Sequence, residues 1–113
     1  MKALVIPANP KLTFSIEEGE DGGKVIKAGI GGGWLEMVPL PTEDVILWCD
    51  EEGKLKRLPV NARAQELWLA LWGKSSFNDV LVGDVVLTGG TDEEGNPMDV
   101  PESVIKAMEY LPQ

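Results

Sequence analysis

Apolar residues are gathered into short runs, and the best defined of these runs lies near the middle of the chain. Val45–Cys49 is an apolar, β-favouring run that is short enough for one buried strand. Three carboxylates and Gly53 follow it, which is typical of an exposed hairpin tip with a bulge. Lys54–Leu58 then has the mixed character of a second, half-exposed strand, which Pro59 ends. This stretch therefore predicts a β-hairpin.

Helical spacing begins directly after that hairpin. Asn61 is a natural N-cap, because its side-chain oxygen can accept a hydrogen bond from the free amides of the next turn. Apolar side chains then recur three and four residues apart as far as Trp72, and Gly73 is the expected stop. A second helix is predicted from about Pro101, with Asp99 as its cap. We therefore expect two helices, each with one apolar face.

Strand patterns account for most of the remaining chain, as short apolar or alternating runs bounded by glycine or proline. The predicted strands are Met1–Ile6, Lys11–Ile16, Lys24–Ile30, Trp34–Val38 and Val85–Thr88. The second and third form a hairpin if they pair with each other, and a polar connection spans 74–79. The sum is a single domain over residues 1–113 of the α+β class. We expect a mainly antiparallel β-sheet of about five to six strands with two helices packed on it.

Composition narrows the classes of function. The chain of 113 residues carries 19 acidic and 10 basic residues, and its formal charge is −9. That balance disfavours direct nucleic-acid binding through phosphate contacts. There is no histidine and only one cysteine, Cys49, so histidine-dependent triads, histidine-containing zinc sites and intrachain disulfides are excluded. Cys49 lies inside the central apolar run and is expected to be a core residue.

The distribution of apolar residues also bears on location. No apolar stretch approaches the roughly 20 residues that a membrane span requires. The apolar run at the amino terminus is too brief for a signal peptide. We therefore expect a cytoplasmic protein with no membrane partner.

Candidate chemistry centres on the glycine run that precedes Trp34. Gly31–Gly33 imply either a hinge or a place where a backbone or a ligand comes very close. A strand pattern follows them, so neither a Walker loop nor a dinucleotide fingerprint is present. A planar ligand could still stack on the indole of Trp34. Glu36 shares the strand face of Trp34 and could contact a ligand or act as an acid or base, or it could be solvated or paired with a lysine.

The sequence contains one basic cluster, which is made of Lys54, Lys56 and Arg57. Arg63 joins this cluster if the start of the helix folds back. This cluster could receive an anionic group, or it could pair with the acidic tip beside it. Amides at the start of the helix would add contacts to phosphate. The predicted ligand-binding residues are Gly32, Gly33, Trp34, Glu36, Lys54, Lys56, Arg57, Asn61 and Arg63. No catalytic residue, metal site or cofactor is predicted.

Four ordered motifs resemble a small family of domains of unknown function that bacteriophages and bacterial mobile elements carry. They are Gly32–Glu36, Asp50–Leu55, Leu58–Ala64 and Val82–Val86, within a resemblance that covers about Met1 to Thr88. The resemblance implies no established activity, but it implies a genomic setting in which many small accessory proteins counter host defences.

That setting favours a non-catalytic, homo-oligomeric anti-defence protein of the host-cell cytoplasm that sequesters a small nucleotide immune signal. Two alternatives stay open. One is an acidic inhibitor that mimics the charge of nucleic acid against a host DNA-binding or restriction protein. The other is a carboxylate-dependent enzyme built around Glu36.

Overall fold

The computed structural model describes residues 1–73 and 80–112, and these residues form one sheet and three helices. The strands are β1 (Lys2–Ile6), β2 (Ser15–Glu18), β3 (Leu35–Val38), β4 (Val45–Asp50) and β5 (Val85–Gly89), and the helices are α1 (Gly22–Gly29), α2 (Ala62–Trp72) and α3 (Glu102–Tyr110). All neighbouring strands are antiparallel, in the order β2-β1-β5-β4-β3. The predicted α+β class is confirmed. The connection predicted over 74–79 lies outside the described residues.

The sheet has an apolar layer on each face, because successive strand residues point to opposite sides. Leu4 and Leu87 belong to the layer that α2 and α3 cover, whereas Val5 and Val86 pack with Ile26 of α1. Cys49 is buried in the layer of α2 and α3, as expected. The structure thus has three helices divided between two faces, where the sequence predicted two. Within the described ranges, no helix has the length and apolar character needed to cross a membrane.

The strand predicted over Lys24–Ile30 is wrong, because this region forms helix α1. The Asp21 side chain accepts a hydrogen bond from the Lys24 amide at 3.2 Å and thereby caps the helix. Ile26 and Ile30 are four residues apart and both are buried, which is helical spacing. The preceding acidic turn therefore supplies a helix cap and not a hairpin tip. The hairpin predicted from the second and third strands is wrong as well, since β2 pairs with β1.

The predicted return strand over Lys54–Leu58 is also wrong, because the chain forms successive turns over 51–57. The Asp50 side chain accepts a hydrogen bond from the Glu52 amide at 2.9 Å, and the Asp50 carbonyl accepts one from the Gly53 amide at 3.0 Å. These local bonds turn the chain before a second strand can pair. The partners of β4 are β3 and β5.

Two further predictions are displaced along the chain. The strand predicted over Lys11–Ile16 is found a few residues later, as β2. Helix α3 follows Pro101 as expected, but Asp99 does not cap it. The Asp99 Oδ1 atom accepts a hydrogen bond from the Lys2 amide at 2.8 Å and so ties the chain after β5 to the start of β1.

The two ends of the sheet differ in chemistry. At one end of the sheet, β1 and β4 finish while β3 and β5 begin. We call it the tryptophan end, and it consists of residues 31–36, 50–63 and 81–84. At the other, which we call the acidic end, eleven carboxylates are exposed: Glu17, Glu18, Glu20, Asp21, Glu43, Asp44, Asp92, Glu93, Glu94, Asp99 and Glu102. The negative charge of the chain is therefore concentrated at one end.

Candidate functional site

The four sequence motifs of the resemblance meet at the tryptophan end. They lie at the start of β3, in the turns after β4, before α2 and at the start of β5. Backbone hydrogen bonds join them, because the Glu51 amide donates to the Trp34 carbonyl at 2.8 Å and the Gly83 amide donates to the Pro59 carbonyl at 2.7 Å. Segments that are distant in sequence thus form one surface.

The glycine run sets the geometry of this surface. Gly31, Gly32 and Gly33 have φ values of 83°, 89° and 87°, in the left-handed region that favours glycine. A β-carbon on Gly33 would lie 2.7 Å from Asp50 Oδ2, whereas one on Gly31 or Gly32 would meet nothing within 4 Å. The run is a tight reversal between α1 and β3. The close neighbour that the glycines imply is a side chain of the protein itself.

Asp50 and Lys56 form a partly buried ion pair beside this reversal. Lys56 Nζ lies 2.7 Å from Asp50 Oδ2, with 5% of the Asp50 side chain and 43% of the Lys56 side chain exposed. The hydrogen bond from Lys56 is the main cause that lowers the pKa of Asp50 below its ordinary value. The same bond raises the pKa of Lys56. A protein carboxylate therefore holds Lys56 in position and offsets its charge.

Trp34 stands at the rim of the surface with 69% of its area exposed, so it is not a core residue. Lys54 and Arg57 are exposed in the turns over 51–57. Glu36 is exposed on β3, and its Oε2 atom lies 3.9 Å from Cys49 Sγ, within reach of a weak hydrogen bond from the thiol. Seven of the predicted residues thus lie in β3, in the segment just before it or in the turns after β4, which the bond from Glu51 to Trp34 joins: Gly32, Gly33, Trp34, Glu36, Lys54, Lys56 and Arg57.

Asn61 lies at the same end of the sheet but deep inside it. It is the N-cap of α2, as predicted, and accepts a hydrogen bond from the Ala64 amide at 3.1 Å. Its amide group donates to the carbonyls of Ile6 at 2.8 Å and Gly83 at 3.0 Å. The residue is fully buried, so both amide protons are committed to the protein. Asn61 joins β1, β5 and α2, and its contact with a ligand stays a prediction.

Arg63 is turned towards the connection after β1. It is only 9% exposed, and its guanidinium donates to the carbonyls of Pro7 at 2.7 Å and Asn9 at 3.1 Å. Three strand spacings of about 4.8 Å separate β1 from β3, so these contacts are roughly 14 Å from β3, the strand that follows Trp34. The structure therefore separates Asn61 and Arg63 from the other seven residues.

Asp50 is the residue of this site that sequence reasoning missed. The run of carboxylates after Cys49 suggested an exposed tip, but only the later acidic residues lie in it. Asp50 itself is 7% exposed. A signal was available, because an aspartate that bonds the amide two residues ahead of it forms a familiar turn.

The family assignment rests on almost the whole chain. A family model described as a domain of unknown function, DUF3846, matches residues 1–112. The chain belongs to that family. No curated protein and no solved structure matches the chain. The DUF3846 match continues beyond Thr88 through α3, so it takes in both the tryptophan end and the acidic end.

Proposed function

We propose that this DUF3846 protein is a non-catalytic binding protein whose ligand is a small nucleotide. The observation that carries the proposal is that Trp34 is exposed and that its carbonyl accepts a hydrogen bond from Glu51, the first residue of the turns that hold Lys54, Lys56 and Arg57. An open indole face can stack on a base, and nearby cations can contact its phosphate. Binding without turnover requires no catalytic residue, which agrees with the absence of a nucleophile motif from the sequence.

The charges around Trp34 limit the kind of nucleotide. Asp50 already pairs with Lys56, and Glu36, Glu51 and Glu52 are close in sequence to the same surface. A ligand with several negative charges would be repelled by these carboxylates. The proposed ligand is therefore a nucleotide of low charge, such as a cyclic one, that gains more from stacking than from ion pairing. In the setting of a mobile element, such a ligand would be an immune signal of the host, and its capture would be an anti-defence function.

The test is a binding screen with cyclic mono-, di- and trinucleotides, cyclic ADP-ribose isomers and NAD, read by calorimetry on the purified chain. Loss of one base stack is worth about 1–3 kcal/mol, so Trp34→Ala should weaken binding roughly 5- to 150-fold. Leu55→Ala is the matched control, because Leu55 is an apolar residue of the same end that is 84% exposed. Binding that both variants retain, or the absence of binding to every compound, contradicts the proposal.

A second candidate is favoured by the eleven exposed carboxylates of the acidic end. In this case the protein is an inhibitor whose acidic end occupies the basic groove of a host DNA-binding or restriction protein. The contact would depend strongly on salt, because exposed charges are screened within about 10 Å at 0.1 M ionic strength. Inhibition of a restriction enzyme should therefore fall steeply as salt rises. Inhibition that persists at high salt contradicts charge mimicry. The carboxylate-dependent enzyme around Glu36 stays a prediction.

A further inference from the structure

Strand β3 is an edge of the sheet, and its outer side has no partner among the described residues. It pairs with β4 alone. Across that pair the Glu51 amide donates to the Trp34 carbonyl, so Trp34 and Glu36 direct their backbone groups towards β4. Backbone direction alternates along an antiparallel strand. Leu35 and Met37 therefore direct their N–H and C=O groups outward.

This edge is protected only weakly against pairing with another strand. Protein edges are normally blunted by charges, bulges or proline. β2, at the opposite edge, ends in two exposed glutamates. β3 has a single charge, Glu36, and 56% of Met37 is exposed, as is most of Trp34 just before it. Pro39 protects only one end of the strand, where it removes the next outward N–H group.

We infer that β3 pairs in antiparallel fashion with β3 of a second copy of this chain, with Met37 opposite Met37. Two antiparallel copies of one strand are related by a twofold axis perpendicular to the sheet, and this axis leaves each side chain on its own face. Residues that lie directly opposite each other must share a face. The axis therefore passes between two copies of the same residue. A register centred on Glu36 would set two carboxylates opposite each other, which is unfavourable. The register centred on Met37 sets Glu36 opposite Val38 of the second copy and joins two exposed methionines.

The charge distribution favours a second copy as the occupant of this edge. In an antiparallel pair the tryptophan end of one copy, with Lys54 and Arg57, lies beside the acidic end of the other. The loop between β3 and β4 carries Glu43 and Asp44 there. Each acidic end thus faces an end where cations and carboxylates are mixed, and not a second acidic end, which limits the repulsion between two chains of charge −9. The pairing is made by backbone groups of β3 and needs no ligand.

Sedimentation equilibrium of the full chain tests this pairing. Measurements up to about 1 mM protein detect a dimer whose Kd is in the millimolar range. The edge is short, so the wild-type mass should rise from monomer to dimer only as concentration increases. Met37→Lys and Met37→Glu should each stay monomeric, because like charges would face each other. An equimolar mixture of these two variants should regain the dimer, since position 37 lies opposite itself. Tyr110→Lys adds the same charge to a residue of α3 that is 89% exposed, and should keep the dimer.

Hydrogen exchange gives a second reading on the unaltered protein. The amides of Leu35 and Met37 should exchange more slowly as concentration rises, whereas the amide of Glu36, already bonded to β4, should not change. This reading decides the matter if a variant fails to fold. A wild-type protein that is monomeric at every concentration overturns the inference. So does a dimer that survives Met37→Lys, or a mixture of the two variants that stays monomeric.

Discussion

The two ends of the sheet carry their polar groups in opposite ways. At the tryptophan end Asn61, Asp50 and Arg63 are buried and make hydrogen bonds to distant parts of the chain or to a charged partner. At the acidic end the carboxylates are exposed, and Asp21 and Asp92 bond mainly to amides of their own turns. A buried polar group that loses its partner is costly, whereas an exposed one is solvated by water.

The two ends should therefore differ in how much a single substitution changes the free energy of unfolding. Single substitutions at the tryptophan end should destabilise the fold, because each polar group there holds several segments together. Single substitutions of the acidic-end carboxylates other than Asp99, which bonds the Lys2 amide, should do little, and that end should respond to total charge and salt. The candidate nucleotide surface therefore rests on a rigid support, whereas the acidic end offers a surface that tolerates change.

The largest effect is expected from Asn61→Ala. The change removes a helix cap, worth about 1 kcal/mol, and takes a buried side-chain donor away from the carbonyls of Ile6 and Gly83, at about 1–3 kcal/mol. We expect a loss of about 3 kcal/mol in the free energy of unfolding, or roughly 10–20 °C in Tm. Thermal unfolding followed by circular dichroism measures it. Asp21→Ala is the matched control, since it removes an exposed cap at the acidic end and should cost about 1 kcal/mol or less. Equal losses for the two caps would contradict the contrast between the ends.

A smaller loss is expected from Gly33→Ala. The positive φ alone should cost about 1–2 kcal/mol, and the new methyl group would also collide with the Asp50 carboxylate. Gly31→Ala has the same backbone strain but meets no neighbouring atom. The difference between the two variants in urea unfolding isolates the close approach to Asp50. If both variants lose the same free energy, Gly33 has only a conformational role.

The ion pair between Asp50 and Lys56 should give a stability that depends on pH in a defined way. Asp50 has a folded-state pKa below its ordinary value of 3.8, so its contribution is present above that value and is lost as the pH falls through the folded-state pKa. Lys56 has a folded-state pKa above its ordinary value of 10.5, so its contribution is lost only as the pH rises through that higher pKa. A double-mutant cycle of Asp50→Asn and Lys56→Met, measured by urea unfolding, should therefore give a coupling free energy at pH values between the folded-state pKa of Asp50 and that of Lys56. The coupling should vanish below the first pKa and above the second. Coupling that is the same at all pH values would contradict this account.

The elements that the sequence predicts correctly are those whose pattern is local. The apolar run of β4, the N-cap Asn61 and the stop at Gly73 are all present, because each depends on neighbouring residues. Helix α1 was missed because its short apolar stretch fits a strand as well, and the cap that Asp21 provides to the Lys24 amide is visible only in the structure.

The candidate site was predictable only in part, for a physical reason. Proximity along the chain grouped the glycines with Trp34, and Lys54 and Lys56 with Arg57, but it did not show that the two groups meet. The directions of Asn61 and Arg63 depend on carbonyls of β1 and of the connection after it, more than 50 positions away in sequence. No local pattern contains that information. The same holds for Asp50, whose burial depends on the reversal at Gly33 on the neighbouring strand.

The smallest effect is expected from neutralising charge at the acidic end. Glu93→Gln with Glu94→Gln removes two exposed charges from a region of like sign, and should raise stability by a few tenths of a kcal/mol at low salt. Added salt should raise the Tm of the wild-type protein more than that of this variant, because screening and neutralisation relieve the same repulsion. Glu51→Gln, at the tryptophan end, is the control; cations and carboxylates are mixed there, so no such gain is expected. If Glu51→Gln stabilises the protein as much as the double substitution does, the repulsion belongs to the whole chain and not to one end of its sheet.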